Sequence, residues 1–164
     1  IHYAPFGIYA GKSSYLKKIA DGAQIAVPND PTNEGIAFLL LQQEGLVTLK
    51  DPENLEATPV DVAENPHNLN FVEVEAAAVP RQLQDVAFAV INGNYAIEAG
   101  LHVSDAVAVE AADGTAVEQY ANYIVTTPDK QDDDRIKALV SVLTSDDFKT
   151  YLKDTYDEDV LPAF

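Results

Sequence analysis

Two short, uniformly apolar runs stand out in the chain, and each predicts a buried strand. Residues 25–27 (IAV) and 86–91 (VAFAVI) lack the polar alternation of a half-exposed strand, which is typical of strands covered on both faces. Polar turns end both runs, at residues 28–30 (PND) and 92–95 (NGNY). If the two strands are neighbours in one sheet, both asparagine-rich turns face the same cleft.

The first run leads into a predicted buried helix. Asp30 suits the N-cap, Pro31 suits the first helical position and Gly45 suits the end. Residues 36–41 (IAFLLL) are apolar on nearly every side, so we expect this helix to be buried. Open α/β sheets bind ligands at such a strand end and helix N-terminus. The polar side chains placed there are Asn29, Asp30, Thr32 and Asn33.

The remaining pattern alternates strands with helices. Residues 69–74 alternate apolar and polar positions, which indicates a strand with one wetter face. Residues 105–118 are acidic and alanine-rich and are expected to form a surface excursion, whereas residues 120–127 (YANYIVTT) read as a third strand. The alternation predicts an α/β fold with a largely parallel sheet.

The C-terminal part predicts two amphipathic helices. The aspartates at 132–134 suit a helix N-terminus, where they cap the backbone and complement the dipole. Apolar residues follow at helical spacing, and Ser145 can cap a second helix. The apolar positions of the first helix are Ile136, Leu139, Val140 and Leu143.

Composition limits the classes of partner. The net charge is −17 over 164 residues, which argues against direct binding of nucleic acid or an anionic membrane surface. The chain has no cysteine, and it has no apolar stretch long enough to span a membrane. It also has no methionine and opens in strand-like sequence, so we expect a fragment or processed chain whose start lies upstream.

Asparagine is the residue that best fits a functional role here. Its side chain offers one acceptor and two donors without charge, which suits a zwitterionic ligand and suits catalysis poorly. Asn29 and Asn92 are therefore candidate ligand residues, although asparagine also favours tight turns. No nucleophile elbow, phosphate loop, metal-ligand spacing or facing acid pair is present. We expect a non-enzymatic protein without cofactor or metal.

Several ordered motifs carry a family resemblance across nearly the whole chain. These are PFGIYAGK, VPNDPTNEG with FLLLQQEGLVTLKD, ENPHNLNFVEVEAAAVPRQL, AVINGNYAIEAGL, YANYIVTT and the terminal VLPAF. Together they resemble the NlpA-type methionine-binding lipoproteins, the solute receptors of methionine ABC importers.

The resemblance implies the two-lobed α/β fold of type II periplasmic binding proteins, without the N-terminal part of the first lobe. Residues 20–105 would form the second lobe, and residues 1–19 and 106–164 would supply hinge strands and the rest of the first. Asn92 and Asn65 correspond to family asparagines that contact the bound amino acid; Asn29 and Asn33 complete the predicted ligand residues. The implied location is extracytoplasmic, at the cell surface, with a lipid anchor upstream and an ABC permease as partner.

One position departs from the family. Where the family usually reads NxGR, this chain reads NEGI, with Ile36 in place of an arginine that pairs with the ligand carboxylate. Isoleucine cannot form that bidentate pair. Either Arg81 or the helix N-terminus holds the carboxylate, or the ligand is not a free amino acid.

Other classes remain open at this stage. An effector-binding domain of a transcription regulator can use the same fold, and an upstream DNA-binding helix would identify it. A surface-protein fragment with altered or lost ligand specificity is a further alternative, with which the isoleucine at position 36 is compatible.

Overall fold

The computed structural model describes residues 1–111 and 120–164 of the chain. Its strands are β1 (His2–Tyr3), β2 (Gly7–Ala10), β3 (Gln24–Pro28), β4 (Thr48–Leu49), β5 (Val62–Glu64), β6 (Asn70–Val74), β7 (Phe88–Ile91), β8 (Ala106–Val109) and β9 (Leu161–Pro162). Its α-helices are α1 (Pro31–Gln43), α2 (Gly93–Glu98), α3 (Asp134–Leu143) and α4 (Asp146–Tyr156). Short 3-10 helices lie at Leu16–Lys18, Pro59–Asp61, Ala76–Gln84, Val103–Asp105 and Pro128–Lys130.

A five-stranded mixed sheet in the order β6-β3-β7-β2-β8 organises the first two thirds of the chain. Strand β3 runs parallel to β6 and β7, and β2 runs antiparallel to β7 and β8. The two apolar runs are therefore adjacent parallel strands, as predicted, but the expectation of a largely parallel sheet is wrong for its β2 side. A fully apolar run shows that a strand is buried on both faces without fixing the direction of its neighbour.

Helix α1 covers one face of this sheet and begins and ends where the sequence predicts. The Asp30 side chain accepts a hydrogen bond from the Asn33 backbone N–H at 3.1 Å, and Gly45 follows the helix with a φ of +71°. Gly35 lies against the Leu55 carbonyl, where a side chain would collide. The helix packs its apolar residues with Ile25, Val27, Phe88 and Val90 into the larger core.

The opposite face of the sheet carries a second, smaller core. Alternate strand residues, including Ala26 and Ile91, pack there with Tyr9 from β2. Val79 of the 3-10 helix Ala76–Gln84 covers them. Burial on both faces explains the unbroken apolar runs of β3 and β7.

Two segments differ from the sequence predictions. Residues 120–127 do not form a strand: Asn122 makes a single bridge to His2, and 123–127 have no regular structure. Aromatic and β-branched residues favoured a strand here, but no strand among the described residues continues the pairing. Within the predicted surface excursion, Ala106–Val109 is instead the edge strand β8, and residues 112–118 of the excursion lie outside the described residues.

The C-terminal helices start as predicted. The Asp133 side chain accepts from the Arg135 backbone N–H at 2.9 Å, and the Ser145 Oγ accepts from the Phe148 N–H at 3.1 Å. After α4, β9 pairs antiparallel with β1, which joins the two ends of the chain. In the described parts of the chain, no helix combines the length and apolarity that a membrane crossing requires.

Candidate ligand-binding site

A cavity of about 540 Å³ lies where β3 and β7 end and where α1 and α2 begin. Parallel neighbours bring these two carboxyl ends to the same edge of the sheet, where the turn after β7 and the first turn of α1 line the cavity and residues 28–30 do not. Segments outside the sheet close the other side of the cavity. Its lining includes His2, Tyr3, Phe6, Thr32, Asn33, Ile36, Asn92, Asn94, Glu110, Tyr120, Asn122 and Val160.

Asn33 reaches the cavity from the first turn of α1. Its Nδ2 donates to both carboxylate oxygens of Asp30, at 2.9 and 3.0 Å. Since a carboxylate can only accept, this contact fixes the orientation of the amide. The Asn33 Oδ1 is left to accept a hydrogen bond from another group.

Asn92 lies directly after β7 and is only 6% exposed. Its Nδ2 donates to the Asn94 Oδ1 at 2.7 Å, while its own Oδ1 is buried and has no partner in the described structure. A buried acceptor without a partner is costly, since it has lost its hydrogen bond to water. Asn92 and His2, whose Nδ1 is likewise buried without a partner, are therefore the polar groups of this cavity that most need a hydrogen bond from a ligand.

Asn122 approaches from the C-terminal part of the chain. Its backbone N–H and its Nδ2 both donate to the His2 carbonyl, at 2.8 and 3.1 Å. A carbonyl oxygen is an acceptor only, so this amide is oriented as firmly as that of Asn33. Burial lowers the pKa of His2, which favours the uncharged imidazole at neutral pH.

Glu110 supplies the charge of the cavity. It follows β8, and its Oε2 accepts from the Phe6 N–H at 3.2 Å, while its own N–H donates to the Phe6 carbonyl. Burial raises the pKa of the Glu110 carboxyl. The pKa of Tyr3 is raised by its own burial and, in addition, by the negative charge of Glu110. The Tyr3 phenol therefore stays protonated at neutral pH.

The predicted ligand residues separate into two groups. Asn33 and Asn92 line the cavity. Asn29 is exposed beyond β3, and Asn65 uses its side chain to close a turn, with Leu69 N–H donating to Oδ1 at 2.8 Å and Nδ2 donating to the Leu69 carbonyl at 3.0 Å. Neither of these two is among the lining residues, and ligand contact by all four stays a prediction.

One proposed substitute for the missing arginine, Arg81, does not reach the site, whereas the first turn of α1 borders it through Thr32 and Asn33. Ile36 lines the cavity, as the sequence implied. Arg81 is exposed on the 3-10 helix Ala76–Gln84 and is not a lining residue. The N-terminus of α1 is already capped by Asp30.

Sequence reasoning missed Glu110, Asn94 and Asn122. Glu110 lay in the segment read as a surface excursion, and its role depends on the pairing of β8 with β2, which brings it to Phe6, 104 residues away in sequence. Asn122 was placed inside a strand, and the AVIN motif drew attention to Asn92 over Asn94, although all three had the residue type of a ligand contact. The described residues include no group of three or more acidic or histidine side chains arranged to hold a metal.

Comparison with known proteins agrees with this geometry. The family model described as NlpA lipoprotein matches residues 1–164. The D-methionine-binding lipoprotein MetQ of Escherichia coli strain K12 is 45% identical over 149 residues, which are 87% of this chain and 52% of that protein. The chain thus spans about half the length of the curated relatives it matches.

Solved structures share the fold. An ABC transporter periplasmic substrate-binding protein from Coxiella burnetii superposes with a TM-score of 0.86 at 41% identity, covering 99% of this chain and 67% of that one. A nutrient-binding protein from Burkholderia cenocepacia, solved with methionine bound, gives 0.87 at 39% identity, with coverages of 99% and 68%. The α/β fold expected from the sequence is confirmed as that of periplasmic substrate-binding proteins.

Proposed function

Because the chain belongs to the NlpA lipoprotein family, we propose that the intact protein is the extracytoplasmic substrate-binding component of an ABC importer. We propose methionine or a related amino acid as its ligand. The names of its relatives support this assignment, since they are a D-methionine-binding lipoprotein and a methionine-bound nutrient-binding protein.

The observation that carries the proposal is the buried, unpartnered Oδ1 of Asn92 in the cavity. A ligand amine that donates to this oxygen would remove the desolvation penalty of the acceptor. A neutral amide binds a small polar ligand without reacting with it. The site therefore acts by binding, and we assign it no catalytic step and no cofactor.

The proposed mechanism is capture between two lobes. Residues 20–105 form one lobe, and residues 1–19 and 106–164 contribute the hinge strands and part of the other. Support comes from the lining of the cavity, which takes Asn33 and Asn92 from the first group and Glu110 and Asn122 from the second. Closure of the lobes would enclose the ligand and present the receptor to its permease.

The same proposal includes the location of the protein. The intact protein is anchored at the cell surface through a lipid on a segment upstream of residue 1, and it delivers the ligand to an ABC permease. The lipoprotein names of the relatives support the anchor.

Ligand-dependent thermal stabilisation tests the function. The intact protein is melted with each of the twenty amino acids, and methionine is expected to raise the melting temperature. At a hundredfold excess over Kd, the gain in the free energy of unfolding is about 2.7 kcal/mol. The absence of a shift with every amino acid would refute amino-acid binding.

Asn92→Ala tests the site within the same assay. We expect methionine affinity to fall roughly 10- to 100-fold, because a buried hydrogen bond to an ammonium group is lost. The ligand-free melting temperature is expected to change little, because the variant loses the hydrogen bond to Asn94 but also removes a buried acceptor that had no partner. Asn29→Ala is the matched comparison outside the cavity; an equal loss of affinity there would contradict the assignment of the site.

A further inference from the structure

Asparagine side chains place several hydrogen-bond acceptors in the cavity, beside donors such as the Asn94 Nδ2 and the Tyr3 hydroxyl. Asn33, Asn92 and Asn122 each use their Nδ2 in a hydrogen bond within the protein. The Oδ1 of each is left to accept, beside one further N–H on Asn92 and on Asn122, and the Asn92 Oδ1 is buried without a partner. Such an arrangement recognises a ligand group that carries several hydrogen-bond donors.

The charged residues of the cavity also favour a ligand group that donates hydrogen bonds. Glu110 is its acidic lining residue, and none of the described residues that line it is lysine or arginine. Residues 112–119 contain two acids and no base, by sequence. His2 is held towards its neutral form by burial, and the positive end of α1 faces the Asp30 carboxylate.

From these contacts we propose that Glu110 is the counter-ion of the ligand's ammonium group, and that the cavity wall formed by the described residues holds the ligand without a cationic partner for its carboxylate. This inference rests on the proposed function and specifies its ligand class. That class comprises amino acids and their carboxyl-blocked derivatives, such as amides and amino-terminal residues of short peptides.

Three features make Glu110 suited to this role. One carboxylate oxygen is fixed by the Phe6 N–H, so the side chain is held in place before a ligand arrives. No ion-pair partner for it exists among the described residues, since their salt bridges lie elsewhere. A partly buried, unpaired carboxylate gains more from an incoming cation than an exposed one does.

Ile36 accounts for the second half of the proposal. Its side chain is buried in the cavity wall, on the same helix as Asn33. An aliphatic wall cannot balance a carboxylate, and desolvating an anion there without a partner is unfavourable. A neutral amide or ester in the same place avoids that cost.

A matched ligand series tests the proposal with the intact protein. Titration calorimetry compares methionine, methioninamide and des-amino methionine, which keep the thioether and differ in charge. We expect methioninamide to bind at least as tightly as methionine, and des-amino methionine to bind more than about 100-fold more weakly. If methionine binds and methioninamide does not, this inference is overturned while the proposed function stands.

Glu110→Gln tests the named residue. Glutamine retains an acceptor for the Phe6 N–H and removes only the charge, so the fold is expected to persist. Affinity for methioninamide should drop roughly 10- to 100-fold, whereas the exposed Glu98→Gln should leave it unchanged. Unaltered affinity in Glu110→Gln would overturn the inference, and failure of all three ligands to bind the unmodified protein would overturn the proposed function with it.

Ile36→Arg provides the reciprocal measurement. A guanidinium in the cavity wall should favour methionine over methioninamide by about tenfold or more, because only methionine carries a carboxylate to pair with it. An unchanged ratio of the two affinities would show that position 36 does not face the carboxyl end of the ligand, and would overturn the second half of the proposal.

Discussion

Helices α1 and α3 have similar apolar content but very different surroundings. In α1, Phe38 is fully buried, and most of the helix packs on the sheet. In α3, no residue is buried, and the exposed fractions reach 45% at Leu139 and 63% at Val142.

The difference shows that an apolar helix face predicts burial, but that burial also requires a neighbouring element to cover the face. Alternate apolar residues of β3 and β7 give α1 a continuous surface to pack on. Among the described residues, α4 is the main element that packs against α3, and α4 itself buries a single residue, Leu152. The stability of the 164-residue chain should therefore depend strongly on α1 and weakly on α3.

The strongest test of this contrast is Phe38→Ala. The ring lies edge-on to Phe71 of β6, with 4.8 Å between ring centroids, and its removal leaves a cavity in the main core. We expect the free energy of unfolding to fall by about 3–5 kcal/mol, measured by urea denaturation. A loss below about 1 kcal/mol would mean that α1 is not the main support of the sheet.

A second test uses pH, because α1 also buries an acid. Glu34 is 5% exposed, and burial, together with a hydrogen bond and repulsion from Glu73, raises its pKa to about 7 from 4.5. The folded state thus keeps a proton that the unfolded state releases as pH rises above 4.5. Stability contributed by the neutral form is complete below that value and is lost as pH rises to about 7.

Glu34→Gln should remove this loss. We expect the variant and the unmodified chain to be similarly stable near pH 4.5, and the variant to be more stable by on the order of 2 kcal/mol at pH 8. The exposed Glu53→Gln provides the control. A smaller decline should persist in both, since Asp159 raises the pKa of His102; parallel pH profiles for Glu34→Gln and the unmodified chain would contradict the prediction.

The sequence predicts the α1 side of the molecule well, because its signals are local. Asp30, Pro31 and Gly45 mark the helix, and uniform apolarity marks β3 and β7. The antiparallel position of β2 and the existence of β8 depend on pairing between distant segments. Dependence on a distant partner also explains the strand wrongly predicted at residues 120–127. Aromatic and β-branched residues favour a strand there, but no described strand lies beside them to pair with.

The same distinction between local and long-range signals separates the residues of the site. Asn92 and Asn33 could be predicted, because each follows a strand that the sequence identifies. Glu110 could not, because its position depends on the pairing of β8 with β2, and Asn122 could not, because it depends on contact with His2. Motif resemblance indicated Asn65, yet its side chain is engaged by the backbone of Leu69.

The smallest expected effect comes from the apolar stripe of α3. Leu139→Ala removes a side chain that is nearly half exposed, and the two residues have similar helix propensity, so the 164-residue chain should lose less than about 0.5 kcal/mol. Urea denaturation beside Phe38→Ala gives the direct comparison between the helices. A loss above about 2 kcal/mol would show that Leu139 is covered in solution, and the contrast between α1 and α3 would then fail.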